Sequence, residues 1–193
     1  MCLNDVLTEE KAELRKKFGR LRASIPQKER KLCSLKIQAK LQEERQYRTG
    51  GAIFTYVSKG DEVETGKLIS AAWAEGRRVA VPRCLNTDGK MAFYWIKDWN
   101  DLTPGRFGVM EPTILCPPAQ AGEKDICIVP AFSFDISGYR LGYGKGYYDR
   151  FLSGFPGISV GFCFEACITR RLPKDFFDRP VNAVITDQCI REI

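Results

Sequence analysis

Ile126-Cys127-Ile128-Val129-Pro130 is followed, after a short spacer, by Gly138-Tyr139-Arg140-Leu141-Gly142-Tyr143-Gly144-Lys145-Gly146-Tyr147-Tyr148-Asp149. The first run is apolar without interruption and reads as a strand buried on both faces. The second holds four glycines within nine residues, with Arg140 and Lys145 among them. Glycine accepts positive φ and lets a ligand approach the backbone closely. A run of glycines turns successive N–H groups into one concavity suited to phosphate oxygens. Two fixed cations add charge attraction to those hydrogen bonds. Behind the loop, Tyr147, Tyr148, Phe151 and Leu152 recur at helical spacing. The loop is therefore expected to end at a helix N-terminus, where the macrodipole favours an anion. Strand, loop and helix together predict an α/β protein that handles phosphate.

Glycine clusters also build flexible surface loops and hairpin turns, and spacing alone does not separate these from a phosphate site. The run lacks the Gly-Lys-Ser/Thr of a P-loop and the Gly-x-Gly-x-x-Gly of a dinucleotide fold. Its aromatic and basic residues resemble an RNA-binding strand. That module needs its aromatics on a strand, and four glycines make a poor one.

Working outward, the chain has 193 residues, 44% of them hydrophobic, enough for one well-packed domain. No apolar run approaches the roughly 20 residues that cross a bilayer. Met1 to Glu10 lacks a basic patch followed by an apolar core, so a cytoplasmic protein with no membrane association is expected. Of the eight cysteines, Cys84, Cys127, Cys163 and Cys189 sit in or beside apolar runs, where cysteine acts as a small hydrophobe. No Cys-x-x-Cys occurs, which argues against structural zinc. The chain contains no histidine. An imidazole base, an ordinary triad and a histidine metal ligand are thereby excluded. Carboxylates, lysine, arginine, tyrosine, backbone amides and a hard cation remain, a set suited to phosphoryl transfer. The net charge of +6 fits anionic substrates.

Two helices are expected to open the chain. Thr8 is read as the cap of the first, with Leu7, Leu14, Phe18 and Leu21 as its apolar stripe and Lys11 and Arg15 one turn apart. The second is expected from Lys28 to Glu44, after the Ser24–Pro26 break. Strands are expected at Ala52–Val57, Arg78–Cys84, Met91–Ile96, Ile126–Val129, Ile158–Cys163 and Ala183–Thr186. A helix is expected at Thr65–Trp73 and a hairpin turn at Asn86-Thr87-Asp88-Gly89. Residues 97–124 read as one long loop. The fold class is α/β: a single domain over residues 1–193, with a central, mainly parallel sheet flanked by helices and an N-terminal helical pair. Ligands of such sheets gather beyond the carboxyl ends of the strands, where Ser58–Glu62 and the glycine loop are expected to converge.

The run Val129-Pro130-Ala131-Phe132-Ser133-Phe134-Asp135, with the glycine loop behind it, resembles the signature of the 5-formyltetrahydrofolate cyclo-ligase (methenyltetrahydrofolate synthetase) family. Lys11-Ala12-Glu13-Leu14-Arg15 is similar to that family's opening helix, and Ser58–Thr65 to its folate-contacting segment. Gly108-Val109-Met110-Glu111-Pro112 and Asp178-Arg179-Pro180-Val181-Asn182 resemble two later motifs in the right order. The resemblance implies ring closure that depends on ATP and Mg²⁺. The formyl oxygen is phosphorylated, N10 attacks the activated carbon, and phosphate leaves to give 5,10-methenyltetrahydrofolate. It implies Lys11, Arg15 and the loop Arg140, Leu141, Gly142, Tyr143, Gly144, Lys145, Gly146, Tyr147 and Tyr148 as the ATP site, with Lys145 and Arg140 catalytic. Asp149 and Asp178 are implied as Mg²⁺ carboxylates. Val57, Glu62, Phe107, Tyr143 and Tyr147 are implied as folate contacts, with Glu62 accepting the two donors of the pterin amino edge. Asn182 replaces the family's usual aspartate, either removing a charge from the metal shell or shaping the backbone, the favoured reading. A monomer with folate and ATP as its small-molecule partners and no nucleic acid is expected. The alternatives are a kinase or ligase for another anionic metabolite and a non-catalytic RNA-binding module.

Overall fold

The computed structural model describes residues 3–86 and 89–193, without the side chains of Leu3, Asn4, Asp5 and Phe107. Its centre is a seven-stranded sheet built from alternation that the sequence carries. β1 (Ile53–Phe54), β2 (Val79–Cys84), β3 (Met91–Ile96), β6 (Ile126–Pro130), β9 (Ile158–Phe162), β11 (Ala183–Ile185) and β12 (Ile190–Glu192) pair in the order β12-β11-β9-β6-β1-β2-β3. The four inner pairings are parallel. The pairings of β12 and β3 at the two edges are antiparallel. The expected mainly parallel sheet is thus present.

Successive residues of these strands point to opposite faces, and both faces are covered. Ile53, Val79, Val81, Ile126 and Ile128 enter one core, with Ile37 and Leu41 of α2 (Gln27–Glu43), Tyr47 of α3 (Arg45–Thr49) and Leu68 and Ile69 of α4 (Gly66–Ala74). Phe54, Ala80, Cys127 and Val129 enter the other, with Phe18 of α1 (Leu3–Ser24) and Phe151 of α5 (Tyr147–Leu152). The N-terminal helical pair is present, and its two members lie on opposite faces of the sheet. Pro26 makes the break: its backbone is extended (φ −55°, ψ 141°) and stands just before α2.

Several expectations are corrected. α1 has already begun at Leu3, so Thr8 lies inside it and is not its cap. Nothing between Leu3 and Leu7 is a glycine or proline that would stop the helix earlier. The expected strand Ala52–Val57 is reduced to Ile53–Phe54. The Tyr56 carbonyl turns to the Thr65 hydroxyl at 2.7 Å, one of the side-chain bonds that compete with a ladder. Residues 97–124 are not a plain loop. β4 (Leu102–Pro104) pairs antiparallel with β5 (Met110–Pro112). The glycine segment contains a hairpin, β7 (Ser133–Asp135) with β8 (Arg140–Leu141), and β7 also pairs with β10 (Ile168–Thr169). Of the expected turn at 86–89, Thr87 and Asp88 lie outside the described residues. The described cysteines are all free thiols. No helix among the described residues is long and apolar enough to cross a membrane.

Candidate functional site

The carboxyl ends of β1, β6 and β9 open onto a small cavity bordered by Tyr56, Glu62, Pro130, Phe162 and Arg22. The segment leaving β1 is held there by its own side chains. The Tyr56 hydroxyl donates to the Val63 carbonyl at 2.7 Å, and the Ser58 hydroxyl accepts from the Thr65 N–H at 3.2 Å. Gln38 of α2 accepts from the Leu68 N–H at 2.6 Å and donates to the Glu64 carbonyl at 2.7 Å, fixing the entry to α4. These bonds present Glu62, which is buried. Its Oε2 accepts from the Lys59 N–H at 2.9 Å, and its Oε1 accepts from the Tyr143 hydroxyl. Burial first, then the Glu62 charge, pushes the Tyr143 phenol well above its ordinary value, so it stays protonated and donates. The two loops that the sequence brought to one end of the sheet therefore meet. Val57, half-buried, packs against the core beside them.

The glycine loop rests on α1. Arg15 donates from Nε to the Gly142 carbonyl at 2.8 Å. Gly144 has φ +90°, a backbone that favours glycine, and a Cβ on it would sit a tight 3.1 Å from the Arg15 guanidinium. Burial draws Arg15 below its ordinary pKa against the opposing pull of Asp178, yet a guanidinium keeps its charge at neutral pH. One turn earlier on α1, Lys11 Nζ lies 2.6 Å from Asp178 and 3.4 Å from Asp175. α5 begins immediately after Gly146, as expected of the loop.

The remaining residues divide by exposure. Lys145 is exposed, and its side chain makes no hydrogen bond or ion pair among the described residues; only its carbonyl is engaged, by Arg150. Arg140 is the opposite case. Its side chain is 4% exposed, with Nη2 2.5 Å from Asp149 Oδ1 and Nη1 2.7 Å from the Arg179 carbonyl. Asp149 Oδ1 also accepts from the Arg179 N–H at 3.1 Å. Leu141 is buried in the core and contributes its backbone to the hairpin. The Tyr147 hydroxyl donates to the Asn86 carbonyl at 2.8 Å. The Tyr148 hydroxyl is buried without a partner among the described residues. The Phe107 side chain lies outside the described residues.

Asp149 is tied to the chain next to Asp178, since it accepts from the N–H of Arg179. Each uses a single oxygen: Asp149 Oδ1 for Arg140 and Arg179, and Asp178 Oδ2 for Lys11 and the Asp175 N–H. The second oxygen of each makes no hydrogen bond among the described residues. Two carboxylates with free lone pairs beside a phosphate-type loop are the hard oxygen donors Mg²⁺ takes, the rest of its shell being water and phosphate. Asn182 stands elsewhere, at the amino ends of β9 and β11. Its Oδ1 accepts from the Ser159 N–H and hydroxyl, both at 2.8 Å, in the backbone-shaping role favoured from sequence.

Arg22, Asp61 and Asp175 were missed. The signal for Arg22 was present: it stands eleven residues after Lys11, about three helical turns, and so shares the face of Lys11 and Arg15. Asp61 lies within the Ser58–Thr65 segment already singled out, whereas nothing local marks Asp175 among the chain's other acidic residues.

Residues 7–187 match the 5-formyltetrahydrofolate cyclo-ligase family. A probable 5-formyltetrahydrofolate cyclo-ligase of Schizosaccharomyces pombe is 31% identical over 148 residues, covering 68% of this chain and 72% of that protein. The mouse 5-formyltetrahydrofolate cyclo-ligase is 29% identical, covering 91% and 90%. The NMR structure of Aquifex aeolicus 5,10-methenyltetrahydrofolate synthetase superposes with a TM-score of 0.83 at 31% identity, covering 94% and 92%. With the match running through the α1 cations, the glycine loop and Asp178 alike, the chain belongs to the 5-formyltetrahydrofolate cyclo-ligase family.

Proposed function

We propose that this chain, acting as one catalytic domain over residues 1–193, converts 5-formyltetrahydrofolate to 5,10-methenyltetrahydrofolate with consumption of ATP. The observation that carries the reading is that one glycine loop touches both Glu62 and Arg15. Its Tyr143 hydroxyl reaches Glu62, while its Gly142 carbonyl and Gly144 lie on Arg15. A loop so held sets a folate and a triphosphate against each other, and positioning supplies much of the catalysis in phosphoryl transfer.

In this reading Glu62 accepts the two N–H donors of the pterin amino edge. Lys11, Arg15 and the loop N–H groups hold the triphosphate, and exposed Lys145 meets the charge developing on the γ-phosphoryl oxygens. The formyl oxygen attacks the γ-phosphorus and ADP leaves. N10 then attacks the formyl carbon and loses its proton. The carbon–oxygen bond breaks, releasing inorganic phosphate and the methenyl cation. Asp149 and Asp178 would hold Mg²⁺, which supplies charge neutralisation at the phosphates. Arg140 keeps Asp149 in place.

Incubation with 5-formyltetrahydrofolate and Mg-ATP is expected to produce the near-ultraviolet absorbance of the methenyl product, with one ADP and one phosphate per turnover. ATP hydrolysis without that absorbance would point to another acceptor. Absence of both would remove the enzymatic reading.

A further inference from the structure

Arg22 is heavily engaged near the site and belongs to no part of the scheme above. It is 5% exposed, at the end of α1 remote from Lys11. Its Nη2 lies 2.8 Å from Asp61 Oδ1 and 3.5 Å from the Tyr143 hydroxyl. Nη1 donates to the Ala131 carbonyl at 3.2 Å. The guanidinium stacks 4.7 Å from the centre of the Phe132 ring, and the Tyr143 ring packs on that same ring, also at 4.7 Å. Nε is buried with no partner among the described residues, and Arg22 lines the cavity that Glu62 shares.

A brace for packing alone needs none of this. Burying a guanidinium with an unmade bond is costly, and an apolar side chain of similar volume holds a helix end as well or better. What Arg22 holds is specific. Asp61 is the chain neighbour of Glu62, so a fixed Asp61 limits where the Glu62 carboxylate points. Tyr143 is the residue whose hydroxyl Glu62 accepts. One planar fork thus grips the segment that presents Glu62 and the glycine-loop residue that meets it, and a fork resists rotation where a single ammonium does not. The same helix face carries Lys11 and Arg15 at the other subsite, so α1 acts as a rod touching both.

We propose that Arg22 is a positioning residue for the folate subsite, setting Glu62 against the glycine loop through Asp61 and Tyr143. The proposal rests on the reading of Glu62 as the folate carboxylate.

Two variants test it in the full chain. Asp61→Asn removes the charge from the pair at nearly constant volume, and Arg22→Lys keeps the cation but loses the fork. Both are expected to raise the KM for 5-formyltetrahydrofolate about tenfold, the worth of one charge-assisted hydrogen bond. The KM for ATP should stay within about twofold, since uniform loss at one subsite leaves the other. Asp61→Asn, whose side chain is 27% exposed, should fold normally even if Arg22→Lys does not. Combined with Tyr143→Phe, its effect on the folate KM should be less than multiplicative, because both act through the same contact. An unchanged folate KM in Asp61→Asn with a lowered melting temperature would overturn the proposal in favour of a plain brace, as would equal rises in both KM values. Absence of methenyl product from the wild-type chain is a separate outcome, which removes the folate reading and this inference with it.

Discussion

Asp149→Asn separates an observed role from a proposed one on the same carboxylate. Asp149 is the counter-ion of Arg140, whose side chain is 4% exposed, and it is also a proposed Mg²⁺ ligand with its second oxygen. Breaking a buried ion pair by removing one partner costs about 3–5 kcal/mol. Asparagine keeps an acceptor for the Arg140 and Arg179 N–H groups, and the Asp149 side chain is 22% exposed; both reduce the loss to about 2 kcal/mol. For a domain of this size about 1 kcal/mol moves the melting temperature by 2–4 °C, so a fall of roughly 4–8 °C is expected. A carboxylate that served only as an exposed metal ligand would shift it by about 0.5 kcal/mol at most. Turnover is expected to fall on the order of 10²-fold or more from loss of charge stabilisation at the phosphates. The assay is a thermal melt of the ligand-free protein beside steady-state turnover across a magnesium titration, below the melting range of the variant. A melt within about 1 °C of wild type would refute the Arg140 clamp. Near wild-type turnover at limiting magnesium would refute the metal role, whatever the melt.

Lys145→Met should leave the melting temperature and folate affinity unchanged, since the side chain has no partner among the described residues. Its single-turnover rate should fall roughly 10²–10³-fold, and a parallel loss of folate affinity would make it a substrate anchor instead. Gly161→Ala should destabilise by about 1–3 kcal/mol, because a Cβ there would lie 2.4 Å from the Phe134 ring in the packed core; a melt indistinguishable from wild type would contradict that contact. Glu165 is held below its ordinary carboxyl value of 4.5 by its hydrogen bond from Arg191, outweighing burial. A depressed folded pKa means the unfolded chain takes up the proton first as pH falls. The contribution is therefore complete above about pH 4.5 and is lost as acid titrates the folded carboxyl. Melting curves from pH 7 to pH 3 should fall less steeply for Glu165→Gln, and an unchanged acid slope would remove the pair from the account.

Elements with strong local pattern were legible to the residue or nearly so. Met91–Ile96 was read with its observed limits and the 27–43 helix to within a residue, because alternation and the proline break are local. The short strands were not. Leu102–Pro104 and Met110–Pro112 have three residues each and exist only because they find one another. Ser133–Asp135 is a strand because Ile168 and Arg140 come to lie on either side of Phe134, and no run of three residues announces such partners. Thr8 was read as a cap from its residue type, although helix propensity continues unbroken ahead of it.

The sequence by itself determined the parallel sheet, from apolar runs alternating between two faces, and a glycine loop that ends at a helix N-terminus, from apolar residues at helical spacing behind Gly146. It also determined that Lys11 and Arg15 share a face, since 3.6 residues per turn is a property of any helix. Only the tertiary structure decided how the charges divide. Arg140 and Lys145 lie in the same loop, yet one is spent on Asp149 and the other stands in solvent. Glu62 meets Tyr143 across 81 residues of chain, and Arg22 meets the same tyrosine across 121. Contacts at such separations follow from which face of the sheet each helix covers and how the β7–β8 hairpin folds back. That outcome is set by the simultaneous burial of two cores, a sum over the whole chain that no local stretch encodes.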